Sequence, residues 1–224
     1  MIFLKNSENP LKYNMESYKK LIILGAVFIL CCRGNPSGNY AMFPEKAEFG
    51  EPEQINIKEP ETFTVRTKNG LFTVTPKAEY YIHARVASKK SYWLEDDAAL
   101  APVDLALAWG KISKPEHLKR LGIRQSGRWY EYRYDENFLV TREYVRSHSC
   151  NNHAVPRNEN IKQALKKIKK YDLVYIEGFL IDIDGVMKGN RFFWRTSMTR
   201  DDEAGGACEI IYVTRLQVND RVYE

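Results

Sequence analysis

Between residues 148 and 153 the chain reads His148-Ser149-Cys150-Asn151-Asn152-His153, and two imidazoles with a thiol in so short a span are competent zinc ligands. A closed zinc site takes four ligands, usually as two closely spaced pairs, and the sequence holds no second pair at that spacing. No metal is therefore expected, and His153 is expected to hydrogen-bond locally in a loop that Pro156 ends. A catalytic reading uses His153 as general base, Ser126, Ser197 or a water as nucleophile, and Arg128 or Arg200 to hold an anionic substrate, which describes a hydrolase. The structural alternative joins Arg128, Arg200 and Asp201 in an ion-pair network around a barrel mouth, because such networks form without chemistry. The chain has no Gly-x-Ser-x-Gly, no phosphate-binding glycine loop and no His-Glu-x-x-His, so no cofactor is expected. A binding or interaction domain is the favoured class, with the hydrolase as its alternative.

Other polar and aromatic groups have plainer readings. Trp129, Tyr130, Tyr132 and Tyr134 alternate as an aromatic strand, with rings that can stack a base or a sugar but more often pack across strands. The lysines of 162–170 crowd a helix C-terminus, where the macrodipole favours them, and read as a solvated face. Asp182 and Asp184 are too few for a calcium site. Cys150 and Cys208 are expected to stay unpaired. A formal charge of +5 from 34 basic and 29 acidic side chains is too small and too mixed to imply a nucleic-acid partner. The protein or small-molecule partner is left open.

These groups must be held by a domain whose place is indicated by the chain's first part. Leu21 to Cys32 is the only long apolar run, preceded by Lys19 and Lys20. Twelve helical residues span about 18 Å, short of a hydrocarbon core of about 30 Å, so the run fits a signal peptide h-region better than a spanning helix. Starting at Met15 would give it a more ordinary leader. Cys31 or Cys32 at its end resembles a lipidation site, and an uncleaved signal anchor is the alternative. Either way the bulk of the chain is expected to be membrane-tethered outside the cytoplasm, residues 1–32 forming the signal peptide or anchor.

Residues 33–61, rich in Gly and Pro, read as a flexible linker. Residues 62–224 read as a single globular domain. Thr62 to Arg66 and Leu71 to Thr75 flank Asn69-Gly70, a hairpin signal. Glu79 to Ala87 alternates as a half-buried strand. Pro102 to Trp109 reads as a short helix, Pro115 as a first helical residue, and Thr141 as the cap of a helix to His148. Trp129 to Tyr134 reads as a strand and Asn160 to Lys170 as an amphipathic helix. Three strands follow: Asp172 to Asp184, Arg191 to Ser197 and Cys208 to Val218, with a turn at Asp184-Gly185. The expected class is α+β: an N-terminal apolar helix, a linker, then one domain with a mainly antiparallel sheet or small barrel and two or three helices.

From Pro102-Val-Asp-Leu-Ala-Leu-Ala-Trp-Gly onward several short segments occur in a telling order: Gln125-Ser126-Gly127-Arg128-Trp129-Tyr130, Asn151-Asn152-His153 with Pro156, Glu177-Gly178-Phe179-Leu180, and Trp194-Arg195-Thr196-Ser197 with Arg200-Asp201 and Gly206-Ala207-Cys208-Glu209. In these the chain resembles a family of uncharacterised bacterial proteins, many with a single N-terminal hydrophobic segment. The resemblance covers about half the chain and implies the domain boundary and the importance of these residues, while naming no reaction. Ala154 and Arg157 depart from the bulky apolar and small residues associated with those places.

Overall fold

A computed structural model describes residues 49–199 and 207–224. The run Leu21 to Cys32, with the lipidation candidates Cys31 and Cys32, lies outside the described residues, as do Arg200 and Asp201. The described chain is predominantly β, which corrects the α+β expectation: one large mixed sheet and a small hairpin carry it, with three short α-helices. The strands are β1 (Glu53–Asn56), β2 (Phe63–Thr67), β3 (Gly70–Ser91), β4 (Val103–Ala108), β5 (Arg124–Ser126), β6 (Trp129–Glu131), β7 (Ser149–Pro156), β8 (Leu173–Met187), β9 (Asn190–Trp194), β10 (Glu209–Val218) and β11 (Arg221–Tyr223). The helices are α1 (Pro115–Leu121), α2 (Arg142–Ser147) and α3 (Glu159–Lys167).

Five strands pair into a closed ring. β3 pairs antiparallel with β4, β4 antiparallel with β7, β7 parallel with β10, β10 antiparallel with β8, and β8 antiparallel with β3. With α3 between its third and fourth strands, the ring has the connectivity of an OB-type Greek-key barrel. β3 serves both of its ring neighbours, β4 and β8, because it is 22 residues long and bends at irregularities between Pro76 and Ala78 and between Val86 and Ser88. Inside lie Tyr80, Ile82, Leu105, Leu107, Ile176, Ile211 and Val213, and α3 seals one end with Ile161, Ala164 and Leu165. Asn158 caps α3 by accepting from the Ile161 amide.

Two further layers cover the outside of the ring. The outer halves of β3 and β8, with β2 and β9, pack Phe72, Val74, Ile181 and Ile183 onto Val155, Ile210 and Tyr212. The segment between β4 and β7 packs Ile112, Leu118, Leu121 and Val145 onto Ala87, Ala106 and Ala108. β4 is therefore buried on both faces, and β7 along all but its last residue. That double burial explains two departures from expectation: Val103–Ala108 is a strand where a helix was read, and Ser149–Pro156 is a strand where a loop was read. Glu53–Asn56, inside the stretch read as linker, pairs with β3. Gly185 lies within β8, the turn falling at Lys188-Gly189, and glycine is needed at 185 because a Cβ there would stand 2.3 Å from the Leu71 carbonyl oxygen.

Candidate functional site

The polar face lies on the outside of β4 and β7, between the two covering layers. Odd and even residues of a strand point to opposite faces, so Val103, Leu105 and Leu107 enter the barrel while Asp104 faces out. Directly across from Asp104 on β7 is His153. Asp104 has no solvent exposure, and a buried carboxylate is costly unless neighbours compensate it. Arg128 Nη1 donates to its Oδ1 at 2.7 Å and the Tyr92 hydroxyl to its Oδ2 at 3.0 Å. His153 Nδ1 lies 2.9 Å from Oδ1, within ion-pair range but off the line of a hydrogen bond.

Arg128 arrives from the hairpin of β5 and β6, whose two-residue turn has φ of 55° at Gly127 and 72° at Arg128. Positive φ at both positions is the habit of a I′ turn, and a long side chain there costs roughly 1–2 kcal/mol of backbone strain. Its contacts hold it there: Nε and Nη2 grip both oxygens of Asp97 at 3.1 and 2.7 Å, and Nη2 also donates to the Ala101 carbonyl at 2.9 Å. The guanidinium lies 3.7 Å from the Tyr92 ring centroid and 5.5 Å from that of Trp194. Burial alone would lower its pKa, but Asp97 and Asp104 outweigh it and shift it upward. Burial, then the Asp104 charge, pushes the Tyr92 phenol up. Both groups stay in the forms that satisfy Asp104.

The hairpin is riveted to β7 by Asn151, whose Nδ2 donates to the Arg128 carbonyl at 3.0 Å and whose Oδ1 accepts from Gln125 at 2.7 Å. Tyr130 adds a hydroxyl donation to the Ser149 carbonyl at 3.1 Å. Against this frame opens a cavity of about 260 Å³ lined by Arg128, Trp129, His153, Phe193, Trp194, Arg195 and Cys208. His153 presents its ring to Trp194 at 4.4 Å. Cys208 Sγ lies 3.6 Å from Asn151 Nδ2, and burial pushes its thiol pKa up, so the neutral thiol is the resting form.

The sequence-derived candidates divide. His153 and Arg128 meet at Asp104. Ser197 does not join them: it lines neither cavity, is 3% exposed, and its hydroxyl donates to the Thr199 carbonyl at 2.8 Å. Ser126 is exposed on β5. His148 stacks on Tyr144 with centroids 3.6 Å apart and approaches Glu51 at 2.9 Å, while Cys150 packs inside the barrel. The three zinc candidates thus diverge, and among the described residues no group of His, Cys, Asp or Glu could hold a metal ion. Cys150 and Cys208 are both free thiols.

Sequence reasoning missed Asp97, Asp104 and Tyr92, the partners that place Arg128. One signal was available: Asp104 is a lone carboxylate in the run Val103-Asp-Leu-Ala-Leu-Ala, and a charge inside an apolar strand requires a buried cation. No protein-family model matches the chain, and neither a curated protein nor a solved structure shows detectable similarity to it.

Proposed function

We propose that the chain is a ligand-binding barrel, tethered outside the cytoplasm by its N-terminal apolar segment, whose binding face lies over β4 and β7. The observation that carries this reading is the saturation of Arg128 by Asp97 and Asp104 beside an open, aromatic-walled cavity. A guanidinium fully committed to two carboxylates builds a wall and is not poised to clamp a substrate anion. OB-type barrels use this same face, between the loops that flank it, to hold chain-like ligands. The tether rests on Leu21 to Cys32 and its flanking lysines; among the described residues no helix is long and apolar enough to cross a membrane.

A second reading, the hydrolase, is favoured by one pair: His153 lines the cavity with Asp104 behind it, the arrangement of a general base and its orienting carboxylate. The two readings separate on His153→Ala in the full chain. A binding barrel shows no turnover in either form. Turnover of an ester, phosphoester or glycoside substrate that disappears in His153→Ala establishes the hydrolase instead.

A further inference from the structure

We infer that the ligand of this face is an uncharged oligosaccharide, a deepening that rests on the binding reading above. The cavity beside His153 is not isolated. A second cavity, of about 810 Å³, adjoins it and shares Trp129 and Cys208 as lining residues. Two cavities with a common wall form an elongated cleft, which fits a chain of linked units better than a compact metabolite.

Flat rings line this cleft from end to end: Phe193, Trp194 and Trp129 in the smaller part, then Tyr130, Tyr132 and Tyr134 in the larger. Phe193 and Trp129 are 65% and 52% exposed, although large aromatic surfaces are normally covered. Such faces can stack bases or the apolar faces of sugar rings. Charge separates the two. A nucleic-acid groove must present uncommitted cations to phosphates. Here Arg128 is bound to Asp97 and Asp104, and Arg195 is bound to Asp184 at 2.7 Å. The larger cavity is lined by Arg142 and Arg146 together with Glu131, Glu143 and Glu209, and after the hydrogen bond from its own backbone the charges of both arginines help to lower the Glu143 pKa. Among the described residues the cleft thus offers no surplus of positive charge, and its aromatic faces with mixed polar edges match neutral sugar units.

The test is isothermal titration of the full chain in a zwitterionic, sugar-free detergent. The probes are chitohexaose, cellohexaose and maltohexaose on one side, and a twelve-nucleotide oligothymidylate on the other. The expected result is binding of at least one hexasaccharide, unchanged between about 50 and 500 mM salt, over which the Debye length falls from roughly 14 to 4 Å, and weakened about tenfold by Trp129→Ala, the scale of one lost stacking contact. Trp129 is half exposed, so this variant keeps its fold, which circular dichroism checks. If none of the three hexasaccharides binds, the inference is overturned. Binding of the oligothymidylate instead, falling steeply with salt, overturns the sugar assignment and leaves the binding reading standing. Hydrolysis of a bound hexasaccharide, lost in His153→Ala, overturns the binding-only reading and leaves the sugar assignment standing.

Discussion

Replacing Arg128 by Met keeps most of the side chain's length and removes its charge. The loss is worked from what remains. Asp104, with no exposure, keeps the Tyr92 hydroxyl and the nearby His153 but loses its short bond to the guanidinium, and Asp97 loses both of its bonds. Breaking a buried pair from one side strands the other charge, at a cost of about 3–5 kcal/mol. For a domain of this size that corresponds to a fall in Tm of roughly 6–20 °C. Met also inherits the positive φ, so no backbone strain is relieved. Adding Asp104→Asn removes the stranded charge and should restore about 2 kcal/mol or more, giving a strongly non-additive double-mutant cycle. Urea unfolding of the four proteins, followed by tryptophan fluorescence, measures both quantities. A loss below about 1 kcal/mol for Arg128→Met, or a further loss on adding Asp104→Asn, refutes the assignment of Arg128 as the countercharge of Asp104.

Two glycines should respond in opposite degrees. Gly178→Ala would place a Cβ 2.1 Å from the Tyr212 carbonyl oxygen inside the β8–β10 pairing and should cost more than about 3 kcal/mol, whereas Gly127→Ala, with nothing within 4 Å, should cost only the roughly 1–2 kcal/mol of its left-handed backbone. Urea midpoints rank the two. Because burial raises the Cys208 pKa, this thiol contributes stability below the ordinary thiol range that is lost as pH rises through the folded value. Peptide mapping after iodoacetamide should find Cys208 slower in the folded than in the urea-unfolded chain at pH 8, with a rate still climbing above the ordinary thiol range; a plateau at or below that range contradicts the buried setting. The full chain should stay with membranes in high salt and leave them in detergent, and a chain that is soluble without detergent removes the tether. Lipid labelling that disappears when Cys31 and Cys32 are both changed to Ser assigns a lipoprotein, while unlabelled retention assigns a signal anchor.

Where an element has one wet face, its sequence was readable. Glu79 to Ala84 alternates because β3 is open on one side there, whereas Arg85 to Ala87 are all buried; α3 shows its buried stripe at Ile161 and Leu165, and Thr141 caps α2. Period fails where both faces are covered. Leu105 and Leu107 point into the barrel while Ala106 and Ala108 meet the covering layer, so β4 is apolar at nearly every position and imitates a short helix. Gly70 was read as a turn glycine, yet its φ is not positive. It is glycine because a Cβ would lie 2.1 Å from the Val186 carbonyl oxygen, a contact created only when distant β8 arrives. The site follows the same rule. His153 and Arg128 were visible by residue type, and their meeting at Asp104 was not, because strand register brings it about and local spacing does not.

The position of β10 in the ring has a consequence for the order of assembly. It sits between β7 and β8, so a chain that has exposed everything up to residue 208 still has two raw strand edges facing an empty slot. The loop closures that join β3, β4, β7 and β8 are then entropically costly and only partly repaid until residues 209–218 emerge. Growth from the N-terminus therefore yields no stable barrel partway, and closure comes as one late, cooperative event. A chain cut before β10 therefore keeps the β3–β4, β4–β7 and β3–β8 pairings but leaves two open strand edges, on β7 and β8, ready to pair with another chain.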